Sequence, residues 1–542
     1  MNEDALPLPE GWSSLLPGHR EAMNDAPTQA RLARLENEWL PRFAARQRWY
    51  AAKGEPPPRL ALTDYARWGS SDGSCLLAFV RAEDPARTLY FVPLALDWEN
   101  PGQPAQGGAV VGPISGPAHR GLLKDAFAVP EFCREWVSAM GRHQELSCLR
   151  GRIAWSSTSA FAASAPGEVS GAPVRALSAE SSNTTVRLGE RLLLKVYRRL
   201  HAGVHPELEL GRFLTEIAHF RHAVPLLGSA EYRGDDGSTT TLALLQEYIE
   251  NQGDGWRYTL DHLQRFLGEE PALAPADAMR AGHDRFLALV RTLGRRTGEL
   301  HTALSRPSGN PDFEPEVATD GDRKAWVARV HDDARVSLDL LAHRLPTLHT
   351  AIHADASALL ASRGALDAWI GAHLPPPSRV FKTRYHGDYH LGQVLLTDQD
   401  FVIIDFEGEP ARALAERREK HCALRDIASM LRSFNYAMYS ALAAHPARSE
   451  TRAAEDEDRG RRWEMATRAA FLEAYRNAAD PAGLYATWDD AQHLIELFLM
   501  EKALYELRYE LDHRPDWVSI PVKGVRDILS GPDPRFGPPL LT

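Results

Sequence analysis

The chain has 542 residues, 44% of them hydrophobic and 25% charged, values ordinary for a soluble globular protein with several domains. Its formal net charge of −11 argues against a general nucleic-acid or anionic-membrane binder, because phosphates would be repelled at long range. Four cysteines without CxxC spacing, an acidic N-terminus with no apolar segment, and no apolar run near the ~20 residues of a membrane helix together predict a cytoplasmic protein.

Residues 1–28 are rich in Pro, Gly and acids and read as a flexible leader. From Ala30, Leu32, Leu35, Trp39 and Leu40 recur at helical spacing. The stretch LPRFAARQRWYAAKG follows, with Trp49 and Tyr50 expected in the core and Arg46, Arg48 and Lys53 in solvent. LALTDYARW, SCLLAFVRA and RTLYFVPLAL alternate and are separated by turn formers, which predicts a small sheet packed on that helix, an N-terminal cap over 29–118. Gly102–Gly116 reads as a linker or long loop, and LKDAFAVPEFCREWVSAM as a short helix pair broken at Pro130.

Over 119–250, short strands are expected near Arg175–Ser178, Thr185–Leu188 and Leu192–Tyr197. The first two enclose a loop containing Ser182, Asn183 and Thr184, and the third carries Lys195 in its middle. A lysine in an apolar strand costs several kcal/mol unless its ammonium has a partner, and phosphate oxygens are a natural one. The hydroxyls and backbone N–H groups of the loop can cradle phosphates without glycines. Pro206 sits at a helix start with Glu207 and Glu209 behind it, either of which can pair with Lys195. Leu242–Ile249 reads as a buried strand running into a hinge.

The remainder, 251–542, is mostly helical. RFLALVRTLGRRTGELHTAL places Leu289, Leu293, Leu300 and Leu304 on one face, with Gly294 and Thr297 permitting close approach and His301 expected as a packed core histidine. Two more amphipathic helices precede Pro375–Pro377. Then comes YHGDYHLGQVLLTDQDFVIIDFEGEP, residues 385–410. Val394–Leu396 and Phe401–Ile404 flank a polar tip, a hairpin pattern that returns Asp405 to the neighbourhood of Gln393, with Asp388 in the loop leading in. In protein kinases an Asp precedes a metal-binding Asn by five positions and a second Asp follows a hairpin. Here Gln393 follows Asp388 by five, and Asp405-Phe406-Glu407 comes after the hairpin. That spacing predicts phosphoryl transfer, with Asp388 as base and Gln393 and Asp405 as hard oxygen ligands. The charged run Arg412–Lys420 beyond it is either a solvated face or a contact to substrate. Leu504, Leu507 and Leu511 then make one apolar ridge of a closing helix.

HGDYHLGQ followed by IDFEGEP resembles the maltokinases, a branch of the aminoglycoside-phosphotransferase-like kinases. More widespread relatives carry HGDxHxxN, so Gln393 departs from the broad pattern and agrees with the maltokinase one. The RW-x-x-x-K context near Trp49, the glycine-poor loop at Ser182–Thr184 and EKALYELRYELDHRPDW resemble the same family. The resemblance implies an α+β, bilobal, protein-kinase-like fold with an α/β cap and a helical C-lobe. It implies ATP and Mg2+ as cofactors and transfer to the anomeric hydroxyl of maltose, with trehalose synthase as a partner. It favours Glu209 over Glu207 as the partner of Lys195. Gln246 and Tyr248 are expected at the adenine, and Glu407 as a further metal ligand or an acceptor for sugar hydroxyls. His390, Glu409 and Arg418 are the candidate substrate contacts. A kinase for glucosamine or glucose, and an inactive kinase-fold binding module, are the competing readings.

Overall fold

The computed structural model describes residues 5–16, 25–50, 58–69, 74–98, 108–117, 119–164, 169–177, 183–268, 276–444 and 449–531. The chain divides into two compact units, residues 1–216 with 224–249, and residues 217–223 with 250–542.

The first unit holds two antiparallel-rich sheets. Strand Cys75–Ala82 is central to the first, pairing with Leu60–Trp68, Leu89–Phe91 and Leu94–Asp97. Its side chains alternate between two cores, as a strand buried on both faces must. Leu77 and Phe79 join Trp68, Trp136 and Trp155 on one side. Leu76 and Val80 join Trp39, Phe43 and Trp49 on the other. The expected helix is there, running from Ala26 to Ala45 through a wider turn at Leu35–Trp39, and Trp49 and Tyr50 are buried as predicted.

Three expectations are corrected in this unit. Residues 5–16 are not a loose leader: Leu6–Pro7 adds a parallel strand beside Ile114–Ser115, and Leu6, Leu8 and Trp12 are buried. The alternating apolar residues hidden among prolines explain the misreading. Val110–Ser115 is a strand rather than linker, paired with Arg120–Asp125. Pro130 does not break a helix pair. It opens the single helix Pro130–Gly141, where its missing N–H costs nothing, and the residues before it form a strand and a short turn capped by Asp125.

The second sheet of this unit runs Val174–Leu177, Thr184–Leu188, Leu192–Val196, Thr239–Glu247, Leu226–Gly234, Gly151–Ser157 and Glu145–Ser147. The three strands read from sequence around the polar loop lie within a residue of their predicted places.

The second unit is built on long helices, among them Ala276–Leu304, Asp320–Arg344, Leu424–Ala444, Glu450–Ala479 and Trp488–His513. Gly294 and Gly298 let the first of these lie against Glu450–Ala479: a Cβ at Gly298 would stand 2.9 Å from the carbonyl oxygen of Tyr475. The predicted hairpin forms as Val394–Thr397 and Asp400–Ile403, in the register Val394–Ile403. Among the described residues, no helix is long and apolar enough to cross a membrane.

Candidate active site

The loop before the hairpin is held by its backbone. His386 is buried, and its Nδ1 accepts the N–H of Asp388 at 3.3 Å, so its Nε2–H donates to the carbonyl of Ile404 at 2.8 Å. The N–H groups of His386 and Gly387 donate to the two carboxylate oxygens of Asp426 at 2.8 and 3.0 Å. Gly387 has φ +87°, a left-handed conformation that a side chain would strain. Asp426 also accepts from Nε2 of His301 at 3.2 Å, and His301 Nδ1 meets the Tyr475 hydroxyl at 3.1 Å. The core histidine expected from sequence therefore braces the loop before the hairpin through Asp426.

Past the loop, the Ile404 N–H donates to the Gln393 carbonyl at 3.0 Å, extending the hairpin by one bond. This brings the Gln393 amide nitrogen within 3.2 Å of Asp405 Oδ2, so the two residues predicted to converge are in contact. Asp405 takes φ +65°, uncommon for a residue other than glycine and of the kind that collects at functional sites. A carboxylate, an amide side chain and Glu407 two residues on form an all-oxygen donor set of the type Mg2+ prefers. The residues present fit that ion.

A cavity of about 380 Å³ opens beside this loop, lined among others by Gly387, Glu409, Arg412, Glu501, Lys502 and Tyr505. Lys502, on the helix Trp488–His513, places its ammonium 3.5 Å from Asp388 Oδ1 and 3.6 Å from Glu409 Oε1. Burial pushes its pKa down, but Asp388, Glu409 and Glu506 outweigh that and hold it above the ordinary lysine value. Glu409 is buried and bonded to Arg412 Nε at 2.6 Å. Burial pulls its carboxyl upward, yet Lys502 and Arg412 carry it below its ordinary value. Of the three expected substrate contacts, Glu409 lines the cavity, and His390 stands with Nε2 3.9 Å from Asp388 Oδ2. Arg418 is displaced from the expectation. It reaches Asp312 at 3.4 Å, and Arg412, six residues earlier in the same charged run, lines the cavity instead.

Within the first unit, Lys195 Nζ lies 2.7 Å from Glu207 Oε2. The preference for Glu209 is corrected here. His205 Nδ1 accepts the Glu207 N–H at the start of helix Pro206–Arg212, and Glu207 is buried there beside the lysine. Glu207 also accepts from the Tyr197 hydroxyl at 2.5 Å and the Gln246 amide at 3.1 Å. The backbone N–H of Tyr248, expected at the adenine, donates to the carbonyl of Arg191, as that of its neighbour Glu247 does to Pro225, and the Tyr248 ring is covered by Arg187 at 3.9 Å. Thr184 Oγ1 accepts from the buried Arg198 at 2.9 Å. Asn183 stands just ahead of it at the strand start, and Ser182 lies outside the described residues, as does Lys53.

Sequence reasoning missed Lys502, Tyr505 and Asp426. The signal for the first two lay opposite the Leu504, Leu507 and Leu511 ridge, where Lys502, Tyr505 and Tyr509 recur at three- and four-residue spacing.

Residues 39–128 match the model of the maltokinase N-terminal cap domain, and residues 173–409 that of the phosphotransferase enzyme family. The chain is 25% identical over 359 residues to a glucosamine kinase of Streptacidiphilus jiangxiensis, covering 66% of this chain and 73% of that one. It is 24% identical over 347 residues to a glucosamine kinase of Mycolicibacterium smegmatis, covering 64% and 77%. A solved glucosamine kinase in complex with glucosamine, ADP and inorganic phosphate superposes with a TM-score of 0.61 at 19% identity, over 90% of this chain and 98% of its own. That likeness establishes a capped, kinase-like α+β fold.

Proposed function

We propose that this chain, which belongs to the phosphotransferase enzyme family and carries a maltokinase-type N-terminal cap, is an ATP-dependent sugar kinase that phosphorylates maltose at its anomeric hydroxyl. The observation that carries the reading is the Asp388 carboxylate paired with Lys502, which lines a polar, tyrosine-bearing cavity, in the loop that leads into the hairpin of the Gln393–Asp405 contact. A sugar offers many hydroxyls, and a cavity holding Glu409, Arg412, Glu501 and Lys502 offers both acceptors and donors to them.

In the transfer, the anomeric oxygen forms a bond to the γ-phosphorus while the bond from that phosphorus to the β–γ bridging oxygen breaks and ADP leaves. Asp388 takes the hydroxyl proton, a role worth about 10²–10⁴-fold in rate. Lys502 pairs with Asp388 and, through Glu409, fixes the hydroxyl acceptors next to it. On the nucleotide side, Lys195 is held extended by Glu207 for the phosphates, with Ser182, Asn183 and Thr184 as the cradle. Mg2+, when bound, would be held by Gln393 and Asp405 with Glu407 and would offset phosphate charge.

A second reading, a glucosamine kinase with the same roles, is favoured by the names of the curated relatives. An ADP-release assay with Mg-ATP against maltose, glucosamine and glucose separates the two. Turnover on maltose supports the first, and turnover on glucosamine alone replaces it. Maltose as substrate also keeps trehalose synthase as the proposed partner, which co-purification of the two proteins tests.

A further inference from the structure

The partner of Lys195 has more donors around it than an ion pair requires. Leu193 and Lys195 share one face of the strand Leu192–Val196, and Tyr197 falls on that face as the strand is extended by a bond from its N–H to the carbonyl of Leu242 at 2.9 Å. Opposite Leu193 and Lys195, on the neighbouring strand Thr239–Glu247, stand Gln246 and Leu244. The three polar residues of this face meet one carboxylate, that of Glu207 on helix Pro206–Arg212. Its Oε2 accepts from Lys195 Nζ at 2.7 Å and from the Tyr197 hydroxyl at 2.5 Å, and its Oε1 accepts from the Gln246 amide at 3.1 Å. The Tyr197 ring lies beside that of His205, with centroids 4.2 Å apart, and packs with Leu208, Leu226 and Leu244.

Glu207 is only 2% exposed, and a carboxylate so deeply buried is costly to leave without donors. A lysine that turns toward phosphate oxygens loosens its hold on its acid. With no other donor at Glu207, each nucleotide bound would strip a buried charge. The Tyr197 hydroxyl and the Gln246 amide are neutral, so phosphate does not draw them away as it draws an ammonium.

We propose that Tyr197 and Gln246 are positioning residues for the nucleotide: they keep Glu207 satisfied and in place while Lys195 turns to the phosphates of ATP. The inference rests on the kinase reading, in which Lys195 meets phosphate. It gives Gln246 a role through Glu207 in place of the adenine contact expected from the sequence.

Calorimetric titration of Mg-ATP into the full-length protein without sugar tests this apart from the identity of the acceptor. Tyr197→Phe keeps the ring and its apolar neighbours and removes only the hydroxyl. It should weaken Mg-ATP binding by about tenfold, the size expected for one hydrogen bond to a charged group, and Gln246→Met should weaken it in the same direction. Both losses should shrink toward nothing in a Lys195→Met background, because the two residues act through the lysine. In steady state the same single variants should raise the KM for ATP and leave that for the sugar unchanged. Wild-type affinity for Mg-ATP in both single variants overturns the proposal and leaves the kinase reading standing. Losses of undiminished size in the Lys195→Met background mark a merely structural role and also overturn it. No binding of Mg-ATP to the wild type overturns the kinase reading itself, and this inference with it.

Discussion

Lys502 joins Asp388 to Glu409 through a single ammonium group, 3.5 and 3.6 Å from the two carboxylates and only 19% exposed. Lys502→Met removes that charge and leaves two acids crowded in a half-buried cavity, so kcat should fall by roughly 10²-fold or more while the protein stays folded; activity within twofold of wild type would remove the lysine from the mechanism. Asp388→Asn should lower kcat by about 10²–10⁴-fold with the KM for ATP little changed. Glu409 makes a pH statement. Its carboxyl is held below its ordinary value, against burial, by Lys502 and Arg412. Its contribution to stability is therefore present above the ordinary carboxylate range and lost as pH falls through the lowered folded value. Tm should drop on acidification through that range, and Glu409→Gln should lower Tm at neutral pH and flatten the drop; an identical slope in the variant would contradict this. At this scale, the Gln393–Asp405 contact and the place of Lys195 on its strand were legible because spacing along one loop or strand is set by local geometry. Lys502 and Asp426 were not, since each reaches the loop from a helix distant in sequence.

The hairpin Val394–Ile403 was readable as an element because alternating apolar residues and a polar tip fix its register, and a register slip would turn Val394 and Ile403 out of the core. The same logic failed at residues 5–16, where prolines mask a strand and a turn whose Leu6, Leu8 and Trp12 complete a core. Helix Ala276–Leu304 carries the sharpest structural prediction. A Cβ at Gly294 would collide with the carbonyl of Phe471, and one at Gly298 would press on that of Tyr475. Gly298→Val should thus destabilise by about 1–3 kcal/mol or more through overpacking, read as a lowered denaturation midpoint. Because His301 and its partner Tyr475 sit on these same two helices, the variant should also lower kcat. Unchanged stability would mean that the helices can move apart.

Across the molecule, fold class and cap were expected from sequence, and the residues proposed for the nucleotide, Lys195 and Glu207, fall in a different compact unit from Asp388, proposed as the base. The roles assigned to them are separable by kinetics. Lys195→Ala should raise the KM for ATP and leave that for sugar nearly unchanged, since the Lys195–Glu207 pair belongs wholly to the first unit; a shift confined to the sugar would reassign the strand. Acceptor choice was the least legible property, because the cavity proposed for it is assembled from segments between Arg329 and His513 rather than from any one motif. The most direct test of the central claim is coupled ADP release with Mg-ATP and maltose, repeated with Asp388→Asn. Sugar-dependent ADP release on maltose that the variant loses is the predicted result; no release on maltose, glucosamine or glucose from a protein that still binds Mg-ATP would contradict it.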